Sequence, residues 1–141
     1  MTNEKLIEIA KDARQISCSI NASGSCSELS NYKVGVALLT KEGKVFTGRN
    51  IEDPSGIGVT NICAERCAVI KALSEGYANF TKIAVVGGPD ELVFTTPCGV
   101  CRQYLNSVAP DIKIITLDNE QIREFTLAEL LPHSFNEKFE K

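Results

Sequence analysis

Two apolar, β-branched runs, 82-KIAVVGG-88 and 112-IKIITLD-118, flank a segment that opens at Pro97 and must end before Pro110. Runs of that length and composition read as buried strands. Proline suits the first turn of a helix and breaks its interior, so the segment between the two prolines predicts one helix. Strand, helix and strand in that order predict parallel strands joined by a right-handed crossover. A chain of 141 residues, 43% apolar and 23% charged, has room for one core but not two, so a single domain over residues 1–141 is expected.

The remaining elements follow from local chemistry. An opening helix begins near Thr2 or Asn3, with Leu6, Ile9, Ala10, Ala13 and Ile16 at helical spacing. The polar stretch 17-SCSINASGSCSELS-30 reads as a loop. A hairpin is expected from 32-YKVGVALLT-40 and 44-KVFTGRN-50, joined at Lys41–Glu42–Gly43. The second loop, 53-DPSGIGVTN-61, ends in Asn61, a candidate cap for a helix from about Ile62 to Ser74 that Gly76 stops. In 126-TLAELLP-132, Thr126 and Glu129 have the spacing of a capping box around a short helix. Helix, hairpin, helix, strand, helix, strand predicts an α/β fold, a mixed sheet covered by helices on both faces.

The net charge of −3 leaves no electrostatic footprint for nucleic acid or an anionic membrane surface. The N-terminal MTNEKLIEIAKDARQ carries acids and lacks the apolar region of a signal peptide, and no apolar run approaches membrane-spanning length. A cytoplasmic protein acting on a small polar ligand is expected. The cytosol keeps thiols reduced, which turns attention from disulfides to metal binding or catalysis. Of the six cysteines, Cys63, Cys67, Cys98 and Cys101 cluster along the chain. Cys18 and Cys26 stand apart and read as free thiols of the core or a loop.

Cys63 and the pair Cys98–Cys101 each fall at the start of an expected helix. Helix N-termini present free N–H groups and partial positive charge, which favours thiolates, the form that binds Zn²⁺. Three thiolates with an open fourth position describe a catalytic zinc site, where the metal makes hydroxide available near neutral pH. Glu65, two residues after Cys63, is placed to carry protons for that water. Arg66 and Arg102 closely follow the two clusters; donation to the sulfurs would withdraw negative charge from the metal.

These residues bring a resemblance. C-A-E in 63-CAERCA-68 followed by 97-PCGVCRQ-103 resembles the zinc-dependent cytidine deaminases, with cysteine in the first position of the H-x-E…P-C-x-x-C pattern, as in the short, homotetrameric type. Blasticidin S deaminases share the zinc motif. The resemblance runs from about Tyr32 to Phe135. It implies a three-layer α/β/α fold with a mixed central sheet, Zn²⁺ held by Cys63, Cys98 and Cys101, and Glu65 as the catalytic proton shuttle. It also implies a nucleoside substrate contacted by Tyr32, Asn50, Glu52, Ala64 and Phe135. Of these, Asn50 and Glu52 belong to 48-GRNIE-52, similar to a family segment whose Asn and Glu bind the ribose hydroxyls. The implied reaction is hydrolytic deamination: Glu65 moves a proton from water to N3 of the pyrimidine, hydroxide adds at C4, and the amino group leaves as ammonia.

Two regions depart from the family pattern. The segment 50-NIEDPSGIGVTN-61 is longer than the usual N-I-E-N-A-(A/S)-Y and lacks its tyrosine, and 26-CSELSNY-32 stands where the family has P-Y-S. A modified nucleoside such as blasticidin S is therefore a second expected substrate. Two other uses of the cysteines remain open on sequence. One is a structural zinc site closed by Cys63, Cys67, Cys98 and Cys101; the other is thiol redox chemistry at Cys98 and Cys101. The lone His133 reads as a surface residue, and Cys67, outside the three-thiol reading, as core packing.

Overall fold

The computed structural model describes residues 1–19, 31–53, 55 and 57–136. Cys26 and most of the expected loop over residues 17–30 lie outside the described residues, as does the side chain of Cys18. The elements are α1 (Asn3–Ser19), β1 (Lys33–Thr40), β2 (Val45–Arg49), α2 (Ala64–Ser74), β3 (Phe80–Gly88), α3 (Gly99–Val108), β4 (Lys113–Asp118), β5 (Gln121–Thr126) and α4 (Leu127–Leu130). The sheet runs β2-β1-β3-β4-β5. Only the β3–β4 pair is parallel, and α3 makes the crossover that the two proline-bounded strands predicted. Among the described residues, no helix is long and apolar enough to cross a membrane.

Side chains alternate across the pleat and build two apolar layers. Val36 and Leu38 of β1, Ile83 and Val85 of β3 and Ile114 of β4 pack with Ala64, Ala68, Val69 and Ala72 of α2 and Leu105 of α3. On the opposite face, Ala37, Ala84, Val86 and Ile115 pack with Leu6, Ile7 and Ala10 of α1. Helices α2 and α3 thus share one face, which brings their N-terminal ends toward each other. The capping box of α4 is formed as expected, Thr126 and Glu129 each satisfying the other's backbone N–H.

Four expectations need correction. Helix α1 continues through Ser19, so residues 17–19 are helical and not loop. Its buried stripe is Leu6, Ile7, Ala10 and Ala13, while Ile16 is exposed. The N-cap of α2 is Cys63, not Asn61; Asn61 Oδ1 instead accepts from the Asp53 N–H at 2.6 Å. Strand β5, QIREFT, was not anticipated. Its two apolar residues, Ile122 and Phe125, lie three apart and so face opposite sides of the sheet, joining different clusters. An edge strand that serves both layers shows no period of two.

Two glycines set how closely helices approach the hairpin. A Cβ on Gly35 would meet the Ala10 carbonyl oxygen of α1 at 2.1 Å. One on Gly48 would meet the Ala64 carbonyl oxygen of α2 at 2.2 Å and the Ala68 nitrogen at 2.8 Å. Both clashes are with backbone, which cannot rotate away. Gly48→Ala should therefore destabilise the fold by about 2–3 kcal/mol or more, read as a lower urea midpoint. Gly99→Ala, where a Cβ meets nothing within 4 Å, serves as the near-neutral control. Equal midpoints for the two variants would refute the close approach of α2 to β2.

Candidate active site

The N-terminal ends of α2 and α3 meet with their cap residues side by side. Cys63 caps α2 and Cys98 caps α3, both with extended backbone and no side-chain capping bond. Their sulfurs stand 3.7 Å apart. Cys101, one turn into α3, completes a set of three sulfurs that all lie within 4.8 Å of one another. Cys67, one turn into α2, is not part of this set. The closed four-cysteine site is thereby disfavoured.

The donor set fits zinc on its chemistry. The Cys63 thiol is held down to about 5, chiefly because the Cys101 thiol donates to it, with Arg66 and Cys98 adding to the effect against the opposing cost of burial. Cys101 is pushed up in turn, first because it is the donor in that pair and then by burial and the neighbouring Glu65. One proton shared between thiols on two helix termini marks a site that gains by exchanging protons for a cation. Cys63 is half-buried, Cys98 exposed and Cys101 fully buried, so the set is open on the Cys98 side.

Glu65 lies in the first turn of α2 and is only 4% exposed. Burial is the main force raising its carboxyl to about 7, and the negative charge of Cys63 adds to it. A carboxyl poised near neutrality can hold or release a proton at working pH. Arg66 reaches the Cys63 sulfur with Nη2 at 3.8 Å and the Asn61 carbonyl at 3.2 Å, while its buried Nε has no hydrogen-bond partner among the described residues. Arg102 behaves differently from the expectation that it donates to sulfur. Its donors go to the Pro97 carbonyl at 2.7 Å, the Leu130 carbonyl at 2.6 Å and Thr96 Oγ1 at 2.8 Å. It fastens the backbone immediately before Cys98 to the end of α4.

A cavity of about 240 Å³ opens over this cluster, lined among others by Cys63, Glu65, Cys98, Tyr32, Asn50 and Ala64. That is below the roughly 300–1,000 Å³ of drug-sized sites and suits a small molecule. Val34, Thr95 and Thr96 also line it and were not anticipated; the only sequence signal for the threonines is their position just before Pro97–Cys98. A larger cavity of about 820 Å³ lies beside Lys11, Arg14 and Glu91. It contains neither the cysteines nor Glu65, so the chemistry singles out the smaller one.

Of the expected substrate contacts, Asn50 lines the cavity with part of its amide already engaged, while Glu52 and Phe135 lie outside the cavity's lining. Asn50 lines the cavity, but its amide is engaged with the backbone: Nδ2 donates to the Tyr32 carbonyl at 2.8 Å and Oδ1 accepts from the Val34 N–H at 2.9 Å. An amide has four hydrogen-bonding positions, so capacity for a ligand remains. Glu52 is 6% exposed and is not among the cavity's lining residues. Phe135 is 62% exposed and also misses the cavity, its carbonyl held by Gln103 Nε2 at 3.1 Å. The segment before α2 is tied by Asp53, whose carboxylate accepts from the Ser55 N–H at 2.7 Å and from the Ser55 and Thr60 hydroxyls. Those bonds hold the Asp53 carboxyl below its ordinary value, with Ser55 the first cause.

Residues 9–116 match the family model of the cytidine and deoxycytidylate deaminase zinc-binding region. The chain is 42% identical over 137 residues to a cytidine deaminase of Halalkalibacterium halodurans, covering 96% of this chain and 95% of that protein. It is 33% identical over 111 residues to a blasticidin-S deaminase of Bacillus cereus, covering 74% of this chain and 78% of that one. The crystal structure of a cytidine deaminase from Burkholderia pseudomallei superposes with a TM-score of 0.78 at 37% identity, over 96% of this chain and 100% of that one. The three-layer arrangement and mixed five-stranded sheet agree with that fold.

The raised Glu65 carboxyl fixes the sign of a pH effect. A group whose folded value exceeds its unfolded value stabilises the fold when protonated. Its contribution is full below about 4.5 and is lost as pH rises through about 7. In protein stripped of metal by a chelator, Glu65→Gln should match the wild type near pH 4 and exceed its stability by about 3 kcal/mol near pH 8. Urea midpoints across that range measure the gap; a gap independent of pH would contradict the desolvation of Glu65.

Proposed function

The chain belongs to the cytidine and deoxycytidylate deaminase family of zinc-binding hydrolases, and on that premise we propose that it deaminates a free cytosine nucleoside to the uracil nucleoside and ammonia. The observation that carries this reading is a buried carboxyl at Glu65 beside three clustered thiols, at the floor of a cavity of small-molecule size. We assign Cys63, Cys98 and Cys101 as the zinc ligands. When bound there, zinc supplies a Lewis acid that makes water a nucleophile near neutral pH. Glu65 takes the proton that water gives up and delivers it to ring N3. A later proton passes from Glu65 to the exocyclic amino group, which departs as ammonia while the water oxygen remains on C4. The balance is one water consumed and one ammonia released, with no change in oxidation state. Arg66, donating to Cys63, withdraws charge from the thiolate set.

Within the cavity, Tyr32, Asn50 and Ala64 are assigned to the nucleoside, Asn50 through the part of its amide that the backbone leaves over. Glu52, buried beside Asn50 in the chain, is kept as the ribose contact that the resemblance implies. Cytidine and deoxycytidine are the first-choice substrates, because the relatives of highest coverage act on cytidine by name. A blasticidin-type nucleoside is the second, since the segment 53–61 departs from the family pattern and a blasticidin-S deaminase is 33% identical. A reducing, cytoplasmic setting suits three free thiols. One domain over residues 1–141 carries the whole site in this reading.

A homotetramer is proposed as the working form. Phe135, Val100 and Val59 are 62%, 62% and 90% exposed, and Phe135 lies outside its own cavity, available to a neighbouring subunit. Light scattering should then give four times the 15.3 kDa chain mass; a monomer would overturn it.

Ammonia release from cytidine, deoxycytidine and blasticidin S, compared as kcat/KM ratios, tests the assignment directly. The purified protein should carry about one zinc per chain, and Cys67→Ala should leave that content unchanged. Glu65→Gln should keep zinc and fold while losing turnover by at least about 10²–10⁴-fold. Absence of zinc, or near-normal turnover by Glu65→Gln, would sink the mechanism.

A further inference from the structure

Arg14 is buried, 5% exposed, on α1, the helix that covers the face of the sheet opposite the site. Among the described residues, every acceptor it meets is a backbone carbonyl. Nε donates to Lys33 at 2.9 Å, and Nη2 faces the carbonyls of Gly88 at 3.0 Å, Pro89 at 3.1 Å and Asp90 at 3.3 Å. A buried guanidinium is costly and is kept only where it satisfies several groups at once. Lys33 and Gly88 are register partners, the last pair of the antiparallel β1–β3 ladder. Arg14 therefore closes the open end of that ladder with one edge of its planar fork.

Both chains that leave this end become walls of the cavity. On the β1 side, the Lys33 peptide lies between Tyr32 and Val34, two lining residues whose own backbone groups are held by Asn50. On the β3 side, the chain turns back so that the Val93 N–H donates to the Gly87 carbonyl at 2.8 Å. It then delivers Thr95, Thr96 and Cys98. The walls touch at Tyr32 Oη and Thr95 Oγ1, 2.6 Å apart. The Thr95 hydroxyl also lies 3.0 Å from the Val93 carbonyl, an acceptor that leaves Tyr32 free to donate across the gap. The far end of the same segment is fastened separately, by Arg102 on Pro97 and Thr96. Gly35 lets α1 come close enough for this, since a Cβ there would meet the Arg14 nitrogen at 2.4 Å.

We infer that Arg14 is a positioning residue for substrate binding: from the far face of the sheet it fixes the separation of the Tyr32–Val34 wall from the Thr95 wall. This rests on the reading of the smaller cavity as the nucleoside site. Arg14 touches none of the three cysteines, nor Glu65, so its loss acts on the grip around the substrate and leaves the metal and proton chemistry in place. A lysine keeps the charge but cannot span Lys33 and the turn at once.

Three measurements on the full chain decide this. Arg14→Lys should retain its zinc and keep kcat within about threefold, while KM for cytidine rises by at least about tenfold. In hydrogen exchange, peptides spanning residues 31–36 and 89–96 of that variant should exchange faster, while those of α2 and α3 stay as in the wild type. Arg14→Ala should recover a lower KM with added millimolar guanidinium but not with equal sodium chloride, the reverse of what a denaturant does to a merely weakened fold. Unchanged KM, exchange faster throughout, or no recovery with guanidinium would each overturn the assignment. If the wild type turns over no cytosine nucleoside, the functional reading fails. The exchange pattern then still decides whether Arg14 holds the two walls.

Discussion

Where α2 crosses β2, the Ala64 carbonyl lies so near Gly48 that a Cβ there would stand 2.2 Å from it. Ala64 is the first residue of α2 and Cys63 is its cap, so this backbone-to-backbone contact sets the height at which Cys63 and Glu65 stand over the sheet. Helix α3 comes to the same face through the parallel crossover between β3 and β4, with Leu105 fully buried as its anchor. Two helices seated on one face with their N-termini converging are what bring Cys63 to 3.7 Å from Cys98 across 35 residues of chain. Everything proposed for the site presupposes that convergence.

The electrostatics of the cluster follow from it. Thiols on two adjacent helix termini compete for one proton, which goes to Cys101, and Cys63 is left as the readily ionised member. Glu65, buried in the same turn, feels both desolvation and that negative neighbour, and its carboxyl rises to about 7. Among the described residues, the cation reaching the sulfurs is Arg66, held by the Asn61 carbonyl in the chain that leads into α2. The residue that prepares the charge balance is thus oriented by the segment that leads into its own helix.

The cavity walls depend on polar groups that do no chemistry themselves. Asn50 ties the start of β1 to the end of β2, Tyr32 reaches across to Thr95, and the buried Thr116 hydroxyl donates to the Thr95 carbonyl at 2.6 Å. The Tyr32–Thr95 bond joins two side chains across the gap between the walls, while Asn50 and Thr116 each satisfy backbone groups where regular pairing stops. Arg14 and Arg102 do the same at the two ends of the segment carrying Thr95 to Cys98. Both arginines bind carbonyls, so both set chain path and neither supplies charge to the sulfurs.

Much of this was legible in the residues. Proline at positions 97 and 110, the glycine at 76, the capping box at Thr126 and the apolar runs of β1, β3 and β4 are local signals, and the elements formed where they point. The C-x-E and P-C-x-x-C spacings placed the thiols and Glu65 on helix starts, because cap position and helical step are properties of a few adjacent residues. Strand β5 was hidden because Ile122 and Phe125 serve opposite layers. Asn61 has the chemistry of a cap yet spends its side chain on Asp53. What the sequence determined by itself was which groups could do the chemistry and on which local element each would sit. Only the tertiary structure decided which of them meet: Cys101 and not Cys67 beside Cys63, Arg66 and not Arg102 on sulfur, Asn50 on the backbone, Phe135 outside its own cavity. Those choices rest on strand register and on helix approach at Gly35 and Gly48, distances between residues far apart in the chain that no local period encodes.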